Sequence, residues 1–303
     1  MAKKGKWHIK ASKGDQVFNV INHLILITVC IIVFYPLWFV ACASFSEGQY
    51  VRDGSILLFP RGWNIEGYKK VFENHKIWIG YGNTIIYTVC GTIFGVFFST
   101  LAGYSLSRKD LPGTGVIMKL MVFTMYFGGG TIPYYIIIKA LGLMDTRIML
   151  IMQGSITVYN IILVRSYFVQ SLPPDLKEAA DIDSCGNSRF LFQIAIPLSK
   201  AIIAVIALYI AVGHWNSYFW AMIFLKTENK NPLQIFLREI LLLANSSGAS
   251  SENLDPEALA AQAKMREVIQ YAVIIVSTVP IICMYPFIQK YFVQGVMIGS
   301  IKG

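Results

Sequence analysis

Six stretches of the chain run without a single Asp, Glu, Lys or Arg. They are Gln16–Ser46, Ile77–Ser107, Leu120–Ile138, Ile148–Val164, Ala201–Leu225 and Val268–Gln289. A helix that crosses a bilayer needs about 20 mostly apolar residues. The fourth stretch is the shortest and gains further apolar residues beyond Arg165. In lipid each backbone amide needs an internal partner, so runs of this kind are helical. Membrane strands would alternate over about 10 residues instead. The pattern predicts an all-α integral membrane protein with six transmembrane helices. Their approximate bounds are 18–44, 83–107, 117–138, 148–168, 201–225 and 268–290.

Three polar connections are long: Glu47–Lys76, Ser171–Lys200 and Lys226–Glu267. Connections of that length usually have a task. Within the last, Leu233, Phe236, Leu237 and Ile240 recur at helical spacing, predicting a short amphipathic helix over Pro232–Asn245. Asn245–Ser251 is small and polar, and a second helix is expected after Asp255 with Pro256 at its first position. No Ser/Gly linker divides the chain. A basic segment 1–15 followed by one membrane domain, 16–303, is the simplest organisation.

Composition agrees with the pattern. Of 303 residues, 55% are hydrophobic and only 14% charged, against about 25% charged in soluble domains. Such a chain cannot cover a globular surface with polar groups, which excludes an ordinary cytosolic protein and intrinsic disorder. The net charge of +9 reads as membrane-flanking charge rather than nucleic-acid binding. Five lysines lie within Met1–Lys13, and the apolar run behind them is longer than a signal peptide's core, so it reads as the first span. That cluster favours a cytoplasmic N-terminus, and six spans return the C-terminus to the same side. The totals discriminate little: with that cluster included, thirteen Lys and Arg fall on inner segments and twelve on outer ones. Cys30, Cys42, Cys90 and Cys283 sit in apolar runs without a CxxC pair, so buried, inert thiols are expected.

The inner connection is the most informative. Leu172-Pro173-Pro174 stops the fourth span, and Asp175 can cap a new helix with Glu178 in its first turn. Ser184-Cys185-Gly186 offers a turn, and a second helix leads through Phe190, Phe192 and Ile194 to Pro197. This describes either a compact projecting knob or an interfacial amphipathic loop. Gly128-Gly129-Gly130 and Pro133 weaken the third span, either as a kink beside a pathway or for close helix packing. His214, Trp215, Asn216 and Tyr218 are polar and aromatic groups within the fifth span. Groups of this kind face the bundle or a water-filled cavity. With Gly129 and Gly130 they are candidates to line a pathway for a polar solute, since aromatic faces stack on rings and amides bond hydroxyls. A packing interface with a partner subunit is the other reading.

Several segments also resemble a known family. Glu178-Ala179-Ala180, then Asp183 and Gly186, then Ile196-Pro197, is similar to the EAA loop of binding-protein-dependent ABC importers. The usual pattern is EAA, then Asp-Gly-Ala, then an apolar stretch ending in Leu-Pro. Here Ser184 stands at the Gly, Cys185 at the Ala and Ile196 at the Leu, and Gly186 follows two places late. Asn83-Thr84, Leu101–Arg108, Phe127–Pro133 and Val212–Tyr218 are similar to the carbohydrate branch. The whole resembles permeases related to the smaller membrane subunit of the maltose transporter, of the LplB/YtcP type, over roughly residues 15–303.

The resemblance implies a type I ABC importer permease fold in a bacterial plasma membrane, with a cytoplasmic EAA coupling helix in loop 172–198. It implies that Glu178, Ala179, Ala180, Asp183, Gly186 and Pro197 form the contact with an ATP-binding subunit. It implies four kinds of partner: a second homologous permease forming a heterodimer, a dimer of ATP-binding subunits, an extracellular lipid-anchored solute-binding protein, and an oligosaccharide. The outer loop, with Asn245, Ser246, Ser247 and Gly248 as its tip, would contact the binding protein or serve as a passive docking surface.

The chain carries no GxxxxGK[ST] phosphate loop, so ATP and Mg are expected in the partner ATPase and no cofactor in this chain. His8, His23, His75 and His214 are scattered, without metal-ligand spacing, and no nucleophile–base pair stands out. The chain is therefore not expected to be an enzyme. The alternative is a self-contained secondary transporter or channel, a class that more often carries intramembrane charges for ion coupling.

Overall fold

A computed structural model of the chain describes residues 12–245, 266–284 and 286. Among the described residues every regular element is helical. The expectations for segment 1–11, for Ser246, Ser247 and Gly248, for the helix after Asp255 and for the end of the sixth span lie outside them. The helices are α1 (Lys13–Ser44), α2 (Gly48–Arg52), α3 (Glu66–Glu73), α4 (His75–Ser107), α5 (Thr114–Tyr126), α6 (Thr131–Ala140), α7 (Arg147–Met152) and α8 (Val158–Ser171). They continue as α9 (Pro174–Ile182), α10 (Asn187–Leu198), α11 (Lys200–Trp215), α12 (Phe219–Phe224), α13 (Leu233–Asn245) and α14 (Arg266–Met284).

The chain divides into two compact units. Residues 12–70 and 266–275 are the described part of the first. Ser12 opens α1 through a reciprocal capping box with Asp15. The helix then presents Val17 to Trp38 with no buried residue before Cys42, at a mean hydropathy of 2.6 in its most apolar window. An apolar surface of that extent fits lipid or a partner helix and not water. The core of the unit gathers Cys42, Ala43 and Ile56 under Phe39, Tyr50 and Tyr271. Phe45 stacks between Trp63 and Tyr68, and the Tyr68 hydroxyl donates to Ser44 Oγ at 2.8 Å.

The second unit is built on α4. At 33 residues this helix is about 50 Å long, well beyond the ~30 Å hydrocarbon core. One face carries Gly80, Thr84, Thr88, Gly91, Gly95, Ser99 and Gly103, all buried. Small residues three and four apart let neighbouring backbones approach. A Cβ at Gly103 would lie 2.6 Å from Val164 Cγ1, and one at Gly80 would lie 2.8 Å from Leu233 Cα. Helices α8, α11 and α13 therefore pack directly on this face. The amphipathic helix predicted in the outer connection is α13. It buries Leu233, Phe236 and Leu237, and its first free N–H, at Leu233, donates to Thr84 Oγ1 at 2.8 Å.

Three of the predicted spans are interrupted. The 117–138 span is the pair α5 and α6, bent by 111° about Phe127–Gly130. Gly130 has φ 83° and ψ 171°, a region open essentially to glycine alone. A Cβ at positions 128, 129 or 130 would meet nothing within 4 Å, so within this chain these glycines bend the backbone rather than admit a packed helix. The 148–168 span is α7 and α8, separated by a turn in which Gly154 has φ 77°. The 201–225 span is α11 and α12, broken at Asn216–Tyr218. Among the described residues three helices, α1, α4 and α14, are individually long and apolar enough to cross a membrane, or up to five spans if each bent pair counts as one. The second bent pair is α10 and α11, at 82°.

Two smaller expectations also change. Asp175 does not cap α9. Pro173 holds the cap position, Pro174 takes the first helical position, and Asp175 is a first-turn acid. Of the apolar-run cysteines only Cys42 is buried; Cys30, Cys90 and Cys283 lie on the outside of their helices.

Candidate functional site

The inner connection folds into a capped knob. Helix α9 buries Ala180 and half of Leu176 against Tyr104, Val164, Phe168, Phe190 and Leu191. Lys177 pairs with Asp181 one turn on and lies over the Phe190 ring, 5.6 Å from its centroid. The opposite face shows Asp175, Glu178, Ala179 and Ile182, which share one helical stripe, and Asp183 follows them. Ile182 is 85% exposed. A large aliphatic held in water beside two acids is the chemistry of a contact surface for a basic, partly apolar cleft.

The knob ends in a Schellman closure. Cys185 N donates to Ala180 O at 2.8 Å and Ser184 N to Asp181 O at 3.0 Å. This places Ser184 in the left-handed region with φ 54°. Gly186 is not the left-handed residue; it is the extended cap of α10. Within α10, Leu191–Ala195 widens into a π turn ahead of Pro197, which lacks the N–H that would bond Gln193. Beside the knob, Arg108 pairs with Asp110, and that hydrogen bond holds the Asp110 carboxyl below its usual range.

A second site lies where two helix breaks meet. The turn after α7 and the turn after α11 wall a cavity of 870 Å³, a size typical of small-molecule sites. His214, Asn216 and Tyr218, all singled out from the sequence, line it. Trp215 does not. Its ring is 6% exposed, packs edge-on against Tyr81, and donates from Nε1 to Ser277 O at 3.1 Å. Gly129 and Gly130 are not among the lining residues either. Gln153, Thr157, Tyr159, Asn160 and Tyr209 are lining residues that sequence reasoning missed. The available signal was the polar interruption Gln153–Thr157 inside an otherwise apolar run. Tyr159 and Tyr209 face each other with ring centroids 6.4 Å apart. Asn216 donates to Val212 O at 3.0 Å and keeps further donor and acceptor capacity. Phenol rings, amides and hydroxyls of this kind match a polyhydroxylated ligand.

A third cluster pins the outer connection. Asp145, itself at φ 54°, accepts from Lys226 N, Thr227 N, Thr227 Oγ1 and Lys230 Nζ. Those donors hold its carboxyl far below the usual carboxylate range, the Thr227 hydroxyl being the largest cause. Asn83 donates to the carbonyls of Asn229 and Asn231, and Tyr87 to that of Lys230. The segment leading into α13 is thus fixed on α4. Asn245 closes α13, and the rest of the expected tip is outside the described residues. Among the described residues no cluster of His, Cys, Asp and Glu could hold a metal ion.

Known proteins share this fold and sequence. No family model matches the chain. Protein LplC of Bacillus subtilis (strain 168) is 36% identical over 292 residues, 96% of this chain and 97% of LplC. The polygalacturonan/rhamnogalacturonan transport system permease protein YtcP of the same organism is 36% identical over 289 residues, 95% of this chain and 99% of YtcP. A crystal structure of a bacterial ABC transporter involved in import of the acidic polysaccharide alginate contains a chain that superposes with a TM-score of 0.81 at 33% identity. The match covers 93% of this chain and 99% of that one. Identity at this level over nearly complete chains fixes the family: the chain belongs to the permeases of carbohydrate ABC importers.

Proposed function

We propose that the chain is one of two homologous permease subunits that pass an oligosaccharide through a bacterial plasma membrane. An extracellular lipid-anchored binding protein delivers the sugar, and a separate dimer of ATP-binding subunits hydrolyses ATP with Mg. The chain itself catalyses no reaction. It spans the membrane six times with both termini cytoplasmic, the bent and interrupted helices completing the three continuous spans, as one membrane domain over 16–303. Glu178, Ala179 and Asp183 dock on the ATPase, while Ala180, buried beneath them, seats α9 closely on Tyr104 and Phe168, and Gly186 and Pro197 shape the second arm of the knob. The cavity lined by His214, Asn216 and Tyr218 belongs to the sugar pathway. The outer connection, with its Asn245–Gly248 tip, meets the binding protein.

The observation that carries this reading is the knob: an acidic face with one aliphatic at its tip, rooted in the same cluster as Tyr104 and Phe168 of the apolar helices. A push on α9 is transmitted to α4 and α8 because the packing between them is close. The names of YtcP and of the alginate importer support a substrate of several sugar units. Replacing Glu178 by Lys is expected to abolish ATP-coupled uptake and to release the ATPase on copurification, while the permease still reaches the membrane. Normal uptake by that variant would refute the coupling role.

A further inference from the structure

Ser155 and His214 meet across the two helix breaks that wall the cavity. Ser155 Oγ and His214 Nε2 are 2.9 Å apart, and the residues are 0% and 7% exposed. The Ser155 hydroxyl also bonds the Ile151 carbonyl. A carbonyl only accepts and a hydroxyl has one proton, so that proton goes to Ile151 O. Ser155 Oγ is left to accept, and His214 must donate from Nε2–H. The pairing fixes both the tautomer and the ring orientation.

Both partners are seated against bare backbone of α4. A Cβ at Gly91 would collide with the His214 ring, and one at Gly95 would collide with the Ser155 carbonyl. The glycines leave a recess that this pair fills together with the Ile210 side chain, whose Cδ1 lies 2.8 Å from a Cβ at Gly95. Each partner also adjoins an irregular segment. Ser155 follows Gly154, which has φ 77°, and precedes Thr157; His214 lies two residues before Asn216. In its turn Ser155 N–H donates to Met152 O at 3.3 Å, and Asn216 N–H, the cap of α11, donates to Val212 O at 3.1 Å; beyond Asn216 the backbone leaves the helix until Phe219.

We infer that Ser155 and His214 are positioning residues, whose hydrogen bond holds the two cavity walls in register and so places Asn216 and Tyr218 toward the sugar. The inference rests on the pathway reading of the cavity. It needs no ligand for its test, because position is read by access of a reagent to the cavity wall.

The test uses the assembled importer with the five native cysteines replaced by alanine. Asn216→Cys is introduced and its rate of labelling by a disulfonated, membrane-impermeant maleimide is measured. Labelling at a rate near that of a free thiol reports a water-filled cavity; no labelling refutes the pathway reading and this inference with it. Given labelling, Ser155→Ala and His214→Leu are each expected to change the rate by about fivefold or more, because a buried polar partner is left unpaired. His214→Gln, whose amide N–H reaches the same acceptor, is expected to restore it to within about twofold. A purely structural role would lower the amount of assembled complex but leave the rate of the assembled fraction unchanged. That unchanged rate in Ser155→Ala, a variant that deletes one oxygen and keeps the packing, would overturn the inference and leave the pathway reading standing.

Discussion

Ser184 sits in the left-handed region at the turn that closes α9, with φ 54°. A residue with a β-carbon costs about 1–2 kcal/mol there relative to the right-handed region. Glycine escapes that cost, but its freer unfolded chain returns about 0.5–1 kcal/mol of it. Ser184→Gly is therefore expected to stabilise the turn by about 0.5–1 kcal/mol. The change installs the residue usual at this place in the EAA loops that the segment resembles. A turn this exposed opens locally long before the protein unfolds, so a global melting temperature would miss the effect. Amide hydrogen exchange reads it directly. The N–H groups of Asp183 and Cys185 are held by Ala179 O and Ala180 O at 3.1 and 2.8 Å. Their exchange in the assembled importer, corrected for intrinsic rates, is expected to slow about two- to fivefold. Ser184→Ala keeps the β-carbon and is expected to stay within about twofold of the parent. Unchanged or faster exchange in Ser184→Gly would show that the left-handed turn is not what holds the knob closed.

Three further outcomes follow from the same coordinates. Gly130→Ala forces a β-carbon into a glycine-only region and is expected to destabilise the α5–α6 bend by about 1–3 kcal/mol; Gly129→Ala, with open space and no positive φ, is the milder control, and the yield of assembled complex measures both. Asp145→Asn weakens the clamp on 226–230 and is expected to speed tryptic cleavage after Lys226 and Lys230. Because the Asp145 carboxyl is depressed, its contribution is complete above the unfolded value of about 3.9 and is lost only as pH falls through the lower folded value. The difference between parent and variant should thus be the same at pH 8 and pH 6.

What could be read from the sequence was what hydropathy and periodicity encode. Helices α1 and α4 hold long charge-free runs, and α13 is a stripe at helical spacing, so each stood out in the sequence. Of the interruptions, that at Gly128–Gly130 was marked by its residues; the other two were not, because a window that counts charges is blind to where a backbone leaves its ladder. Gly154 and Asn216–Tyr218 sit between strongly apolar neighbours, which carry the average across the break. The cavity was legible only in part for the same reason. His214, Asn216 and Tyr218 form one local motif, whereas Gln153, Asn160 and Tyr209 are brought together by the packing of α8 and α11. Trp215 shows the limit of composition. An aromatic with a polar edge suits a sugar, but adjacent residues on a helix point about 100° apart, and Trp215 is turned to Tyr81 and Ser277 while His214 reaches Ser155.

The small-residue face of α4 connects these observations. Gly91 and Gly95 serve packing like Gly80 and Gly103, yet the groups they admit include a His ring and a serine backbone beside the aliphatic Ile210. An apolar side chain in that recess would pack as well and satisfy no donor. A buried histidine needs its ring nitrogen paired, so the recess favours the one arrangement in which the turn after α7 and the end of α11 present Ser155 and His214 together. Within this chain, close helix packing by small residues therefore holds at α4, whereas at Gly128–Gly130 an added β-carbon meets nothing. The same residue type bends the chain where φ demands it and aligns a polar pair where space demands it, and only the neighbours across the bundle distinguish the two.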